Sequence, residues 1–344
     1  MRTNVLGLSG EEASEWLSDK YDFEDPNTLV LATSNRFNII YQHRNDFQTI
    51  VNLQKINEIR YINTFFETVN HHLKIGGTFI GCVETSELRG KRLLQKFPFG
   101  ISQIYFLFDY IFKRVFPKLP ITRWFYYFIT DGRNRVISKY SALGRLVYAG
   151  FSIKAHRNIG HLMFFVAQKE RDTAFDEHPS IGPIFTMDRV GKGGQMIKVY
   201  KLRTMYTYSE YLQGFMFENN NLKKGGKIAN DERITLVGKI MRRVWLDEFP
   251  MIINLMKGEI KLVGVRPLSR HFYNLYTPEL QQKRILVKPG FIPPFYADMP
   301  KNLIEIMDSE SRYVDAYLKN PIKTDLKYFF KALKNVLFGG ARSE

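Results

Sequence analysis

The chain has 344 residues and a net charge of +16, from 50 Lys+Arg against 34 Asp+Glu. With 44 % apolar and 24 % charged residues it has the balance of a folded protein, and its length allows about two domains, each able to bury a core. Its single cysteine, Cys82, excludes an internal disulfide framework and any cysteine-based zinc site.

Residues 1–25 hold seven acids and two bases, with no basic segment leading into an apolar one. They do not read as a secretory signal, and the chain is expected in a reducing cytoplasm. No run of 18 or more residues is apolar without charges, which argues against a simple spanning helix. Residues 28–33 predict a short buried strand. From 51 to 73, apolar residues recur at helical spacing, from Leu53 and Ile56 through Phe65 and Val69, and predict a helix. Gly76-Gly77 reads as a turn into a strand over 78–83. Residues 142–148 read as a helix, and 151–155 with 162–167 as paired strands around a turn at Asn158-Ile159-Gly160. Alternating helices and strands argue for an α/β layer.

The order of helix, residues 73–77 and strand, followed by the closing strand pair, resembles the later part of class I S-adenosylmethionine-dependent methyltransferases across residues 26–170. The family's glycine-rich cofactor loop has no counterpart before Thr28, and no acid for the ribose is identifiable. The resemblance therefore implies a Rossmann-like, degenerate domain over 1–170 that serves as a scaffold.

An aromatic insertion interrupts this domain near 100–130. Residues 101–116 (ISQIYFLFDYIFKRVF) and 121–129 (ITRWFYYFI) read as two short helices broken by the prolines at 117 and 120. Eleven bases and only Asp109 and Asp131 as acids lie between Lys96 and Arg157. Each limb is too short to cross a bilayer of about 30 Å. The pattern fits a hairpin that enters one leaflet or lies on an anionic membrane surface. The bland alternative is a buried helical pair. No nucleic-acid recognition module is visible.

From residue 182 the texture changes. Residues 183–205 read as two strands joined by a turn, with Lys192 at its tip. Phe249, Ile252, Ile253 and Met256 form a helical stripe that Gly258 ends, and Pro250 suits a first helical turn. Asp247 and Glu248 then fall at a helix N-terminus, where capping is the ordinary role of an acid. Arg242 and Arg243 lie five and four residues earlier, so an ionised Asp247 is expected beside guanidinium groups and free backbone N–H groups. That set suits attack by a carboxylate on phosphorus, giving a phospho-aspartyl intermediate.

Arg189 to Gly194, Lys201 to Met205, Asn230 to Pro250, Asn254 to Pro267 and Val287 to Gly290 together resemble, in order, the motifs of bacterial sugar transferases, the monotopic phosphoglycosyl transferases that use polyprenol phosphate. The resemblance implies an α+β catalytic domain over 171–344. It implies transfer of a phospho-sugar from a nucleotide diphospho-sugar, a UDP-sugar, to polyprenol phosphate at the cytoplasmic face of the membrane. Such transfer releases UMP and starts exopolysaccharide or other glycan assembly. By motif match, Asp247 is the nucleophile and Glu248 a Mg²⁺ ligand. Arg242 and Arg266 bind phosphate oxygens, with Lys192, Lys201, Arg203 and Arg243 as further substrate-binding candidates. Residues 169–181 are polar where the family carries an apolar re-entrant segment, so the 101–129 hairpin is expected to take over anchoring. Residues 291–300 also depart from the family pattern. Residues 303–318 and 321–338 predict amphipathic helices, the second with a basic aromatic face that includes Lys327, Lys331, Lys334 and Arg342. The alternative function is a methyltransferase-like membrane scaffold without turnover.

Overall fold

A computed structural model of the chain describes residues 11–18, 22, 24–42, 46–173, 182–219 and 231–338. It contains two compact units, one within residues 1–179 and 206–219, the other within 180–205 and 220–344. The single boundary expected at 170/171 is thus interrupted, because residues 206–219 belong with the first unit. Residues 174–181, Asn230 and Arg342 lie outside the described residues.

The first unit is a mixed α/β layer. Helix α1 (Glu11–Ser18) packs on a five-stranded sheet of order β1-β2-β3-β5-β4. Strands β1 (Thr28–Leu31), β2 (Phe47–Lys55) and β3 (Leu73–Val83) run parallel. Strand β5 (Leu162–Lys169) is antiparallel to β3 and to β4 (Phe151–Ile159), so the expected closing strand pair is present. Two local expectations fail. The helix predicted over 51–73 begins only at α2 (Ile62–His71), because 51–55 belong to β2. Most of β2 is buried on both faces, which removes the period-two signal of a strand. Gly76-Gly77 lies inside β3, with Gly76 at φ 81°, as a local irregularity of the strand.

After β3 come α3 (Ser86–Lys96) and the insertion, α4 (Ile101–Tyr110) and α5 (Pro120–Thr130), joined by a π-helical turn (Ile111–Val115) and a 3₁₀ turn (Phe116–Lys118). The two-helix reading holds. Helix α6 (Lys139–Tyr148) precedes β4. Tyr206, Tyr208 and Tyr211 join this unit through ring contacts with Tyr140 and Tyr148.

The second unit begins with the antiparallel pair β6 (Ile184–Val190) and β7 (Met196–Leu202), as expected. Helix α7 (Leu236–Arg243) leads into a 3₁₀ segment (Leu246–Met251) and then α8 (Ile252–Met256). Strands β8 (Lys261–Val263) and β9 (Gly290–Ile292) pair in parallel, with α9 (Pro278–Ile285) between them. Helices α10 (Leu303–Lys319) and α11 (Pro321–Phe338) close the unit where predicted. Val199, Met251 and Ile260 form a core that packs β7 under the 3₁₀ segment. The stripe of Phe249, Ile252, Ile253 and Met256 does not join that core, and all four are exposed.

Candidate active site

Close backbone contact sets the site. Thr235 caps α7 by accepting from the Gly238 N–H, and its own N–H and hydroxyl donate to the Thr204 carbonyl at 2.9 and 3.1 Å. A Cβ on Gly238 would lie 2.1 Å from that carbonyl oxygen, so only glycine lets α7 start against the end of β7. Asp231 takes a bidentate pair from the buried Arg233 just before the cap. One turn on, Arg242 Nε donates to Thr204 Oγ1 at 3.0 Å. The chain then reverses at Trp245, which holds a left-handed φ of 54°. The Trp245 indole donates to Tyr296 Oη at 3.0 Å, fixing that turn. A left-handed bulky residue is a costly conformation, and here it sets the direction of the two acids that follow.

Asp247 and Glu248 open the 3₁₀ segment, and both are buried. Glu248 Oε1 accepts from Lys201 Nζ at 2.7 Å. Asp247 is 7 % exposed, and its Oδ1 has no hydrogen-bond partner among the described residues. Burial pushes the Asp247 carboxyl above the usual range; Lys201 opposes that rise, Glu248 adds to it and Arg242 opposes it. This corrects the electrostatic expectation: cations stand beside Asp247, yet desolvation outweighs them. Burial also lowers Arg242, against the pull of Asp247 and Asp231. Asn254 fixes the segment to β7, accepting from the Tyr200 N–H at 3.0 Å and donating to the Lys198 carbonyl at 2.7 Å.

Arg266 stands in different company. Its guanidinium lies 5.5 Å from the Phe295 ring centroid, so the departing segment 291–300 borders it. Burial, then the Arg266 charge, lowers Arg189, which makes these two arginines close like-charged neighbours. Arg189 was quoted above only as part of a motif, and the structure adds it as a candidate anion ligand. Gly264 and Gly290 meet face to face where β8 pairs with β9; a Cβ on Gly290 would lie 2.0 Å from the Gly264 nitrogen. The backbone of Arg266 is gripped on both sides. Its carbonyl accepts from Arg284 Nη2 at 2.5 Å and its N–H donates to Glu310 Oε1 at 3.3 Å. Arg284 and Glu310 form a buried ion pair, and burial lowers the Arg284 guanidinium to about 10.

The structure therefore brings Asp247, Glu248, Lys201 and Arg242 together, and groups Arg266 with Arg189. Arg203 donates through Nε to the Gly182 carbonyl at 3.1 Å and lies over the Phe185 ring, a contact that ties down the start of β6. Lys192 and Arg243 are exposed and make no side-chain ion pair among the described residues. No group of three or more acids, histidines or cysteines that could hold a metal occurs among the described residues. Two adjacent carboxylates, one with an unpartnered buried oxygen, still fit Mg²⁺, which takes one or two carboxylates and completes its shell with phosphate oxygens and water.

Residues 173–339 match the family described as bacterial sugar transferase. The C-terminal half of this chain belongs to that family. The sugar transferase half is 32 % identical over 163 residues to the galactosyl transferase CpsE of Streptococcus agalactiae, covering 46 % of this chain and 35 % of that protein. It is 32 % identical over 174 residues to the UDP-N-acetylgalactosamine-undecaprenyl-phosphate N-acetylgalactosaminephosphotransferase of Aeromonas hydrophila, covering 47 % and 38 %. The chain thus spans little more than a third of the length of these relatives. A solved structure described as "PigF with SAH" is similar at a TM-score of 0.26 and 12 % identity, over 49 % of this chain and 67 % of that one. At that score the likeness carries no argument about the fold beside the sugar transferase half.

Proposed function

We propose that this chain moves a phospho-sugar from a nucleotide diphospho-sugar to polyprenol phosphate at the cytoplasmic membrane face, through a phospho-aspartyl intermediate on Asp247. The observation that carries this reading is the buried, unpartnered Oδ1 of Asp247 beside Lys201 and Arg242. An oxygen without a hydrogen bond keeps bonding capacity for a substrate, and a raised carboxyl beside cations is a common property of reacting groups. In the first step an Asp247 oxygen attacks the sugar-side phosphorus. The P–O bond to the nucleoside monophosphate breaks, and that group leaves as UMP from a UDP-sugar. In the second step an oxygen of polyprenol phosphate attacks the same phosphorus, the acyl phosphate bond breaks, and Asp247 returns to a carboxylate.

Arg242 and Lys201 would offset the charge that grows on the phosphoryl oxygens. Arg189 and Arg266 would hold the other phosphate. Asp247 and Glu248 would hold Mg²⁺, which supplies charge neutralisation for the diphosphate. The relatives' names support the lipid acceptor and, for the Aeromonas protein, the UDP-sugar donor. Exposed Leu246 and Phe249, flanking the two acids on the same 3₁₀ segment, support approach by a lipid-borne phosphate.

The test is UMP release from a panel of UDP-sugars with detergent-dispersed polyprenol phosphate. One UMP per chain is expected without lipid, and continued release only with the lipid and Mg²⁺, ending on EDTA addition. Release unchanged in an Asp247→Asn variant would refute the reading.

A further inference from the structure

The α4–α5 insertion presents an apolar outer face. On α4 the two buried residues are polar, Ser102 and Asp109, and half-buried Phe106 packs against Gly90 of α3, whereas Ile101, Ile104, Leu107 and Phe108 are exposed. On α5, Tyr126 is fully buried, with its hydroxyl donating to the Arg133 carbonyl at 2.8 Å. The outward face carries Ile121, Trp124, Phe125 and Phe128, with Trp124 and Phe128 at 71 % and 76 % exposure and stacked at 5.6 Å. A surface helix in water turns its charges outward and its aliphatic and aromatic groups inward. Here two consecutive helices turn aliphatic and aromatic groups outward, far beyond the scattered apolar residues of an ordinary surface.

The hairpin is held rigidly. Arg89, buried, makes two hydrogen bonds to Asp109, at 2.6 and 2.8 Å, and a third to Glu84 at 3.0 Å; Lys113 reaches Asp109 at 2.8 Å. These bonds pin α4 to α3 and to the end of β3. They also satisfy Asp109, the one acid between Lys96 and Thr130, leaving Lys96, Lys118 and Arg123 exposed around the apolar face. Beside it a groove of about 530 Å³ is lined by Arg60, Tyr61, Arg123, Trp124, Tyr127 and Phe128. Aromatic rings with guanidinium groups at one edge suit the boundary between headgroups and acyl chains.

From this we infer that the α4–α5 hairpin is a one-leaflet anchor for an anionic lipid bilayer. The two helices have 10 and 11 residues, about 15 Å of rise each, half the hydrocarbon thickness. None of the described helices is long and apolar enough to cross a membrane, and the turn between α4 and α5 is held to the protein by Arg114, whose Nη1 donates to the Val136 carbonyl at 3.1 Å, so the hairpin lies along one face of the bilayer with its apolar side toward the acyl chains. The complementary charge chooses the partner: a positive rim around an apolar face matches acidic headgroups over acyl chains, and a protein groove of equal apolarity would gain nothing from the rim.

The test uses the full-length chain and no turnover assay, so it stands apart from the transferase reading. Cys82 is fully buried and its thiol is pushed up to about 12, so a thiol-reactive environment-sensitive dye will label an introduced cysteine instead. A dye at Phe128→Cys should brighten and shift blue with vesicles containing phosphatidylglycerol, and less with phosphatidylcholine alone. A dye at Ile75→Cys, also exposed but on β3, should not respond. A Trp124→Glu, Phe128→Glu double variant should partition to the anionic vesicles at least about tenfold less, the loss expected for two exposed aromatic anchors. A silent dye at 128 on protein that floats with vesicles would overturn the proposal. So would equal responses at 75 and 128, or a response at 128 that tracks protein concentration without lipid, which would assign the face to a second copy.

Discussion

Two aspartates of equal exposure divide the chain's chemistry. Asp109 in the hairpin and Asp247 in the second unit are each 7 % exposed. Burial raises both, but at Asp109 the hydrogen bonds from Arg89 and Lys113 overturn it and hold the carboxyl below the usual range. At Asp247 burial prevails, because Lys201 and Arg242 act on it without a hydrogen bond to Oδ1. Charge near a carboxylate is therefore not the same as a partner for it. The first arrangement serves the fold, and the second leaves a buried acceptor without a hydrogen bond.

The contrast can be broken most sharply by the same substitution at both places. Asp247→Asn should lower turnover by at least about 10³-fold, as loss of a covalent nucleophile does, measured by UMP release. Its thermal midpoint should stay equal or rise: a raised carboxyl favours the folded state only when protonated, so that contribution is lost as pH climbs through its folded value. A clear fall in the midpoint would show that Asp247 is structural. Asp109→Asn should do the reverse, destabilising by about 3–5 kcal/mol, as a broken buried pair does. For Asp109 the contribution is present above the unfolded value, about 3.9, and is lost as pH falls through the lower folded one. An unchanged urea midpoint at neutral pH would contradict it.

The Arg266 grip sharpens the comparison further. Arg284→Met leaves Glu310 buried without its partner and releases the Arg266 carbonyl. It should cost about 3–5 kcal/mol in a urea melt, whereas Arg284→Met with Glu310→Leu should recover most of that stability but not the KM for the nucleotide sugar. Arg266→Lys, which keeps the charge but loses the fork, should cost about 10–100-fold in kcat/KM, with the fold intact by circular dichroism. Equal kinetics for the lysine variant would remove Arg266 from the site.

The smallest effect is in pH. If Asp247 must be ionised to attack, the acid limb of kcat/KM follows its carboxyl. Lys201 opposes the rise of that group, so Lys201→Met should move the limb to higher pH. A limb that stays or moves down would separate Lys201 from Asp247.

Much of this was legible in the sequence. The β6–β7 hairpin, the helical turn at Asp247 and the two closing helices follow from glycine, proline and apolar spacing, which act over a few residues. The strand at 51–55 was not legible, because burial on both faces leaves no alternation to read. Nor was the sign of the shift at Asp247: neighbouring arginines are visible in the sequence, but the burial of the carboxyl comes from packing of its 3₁₀ segment on β7, 45 and more residues away in the chain. Arg284 and Glu310 sit 18 and 44 residues from Arg266, and no local pattern ties a buried ion pair to the backbone it holds. Arg189 was in view as part of a motif, and only its proximity to Arg266 marks it out.

The central claim is a covalent bond to residue 247. Intact-protein mass spectrometry of the wild-type chain, incubated with Mg²⁺ and its nucleotide sugar but no lipid acceptor, tests it directly. The account predicts one added sugar phosphate per chain, located on Asp247 by peptide mapping and removed by polyprenol phosphate. An unmodified mass in a preparation that turns over when the lipid is supplied would contradict it.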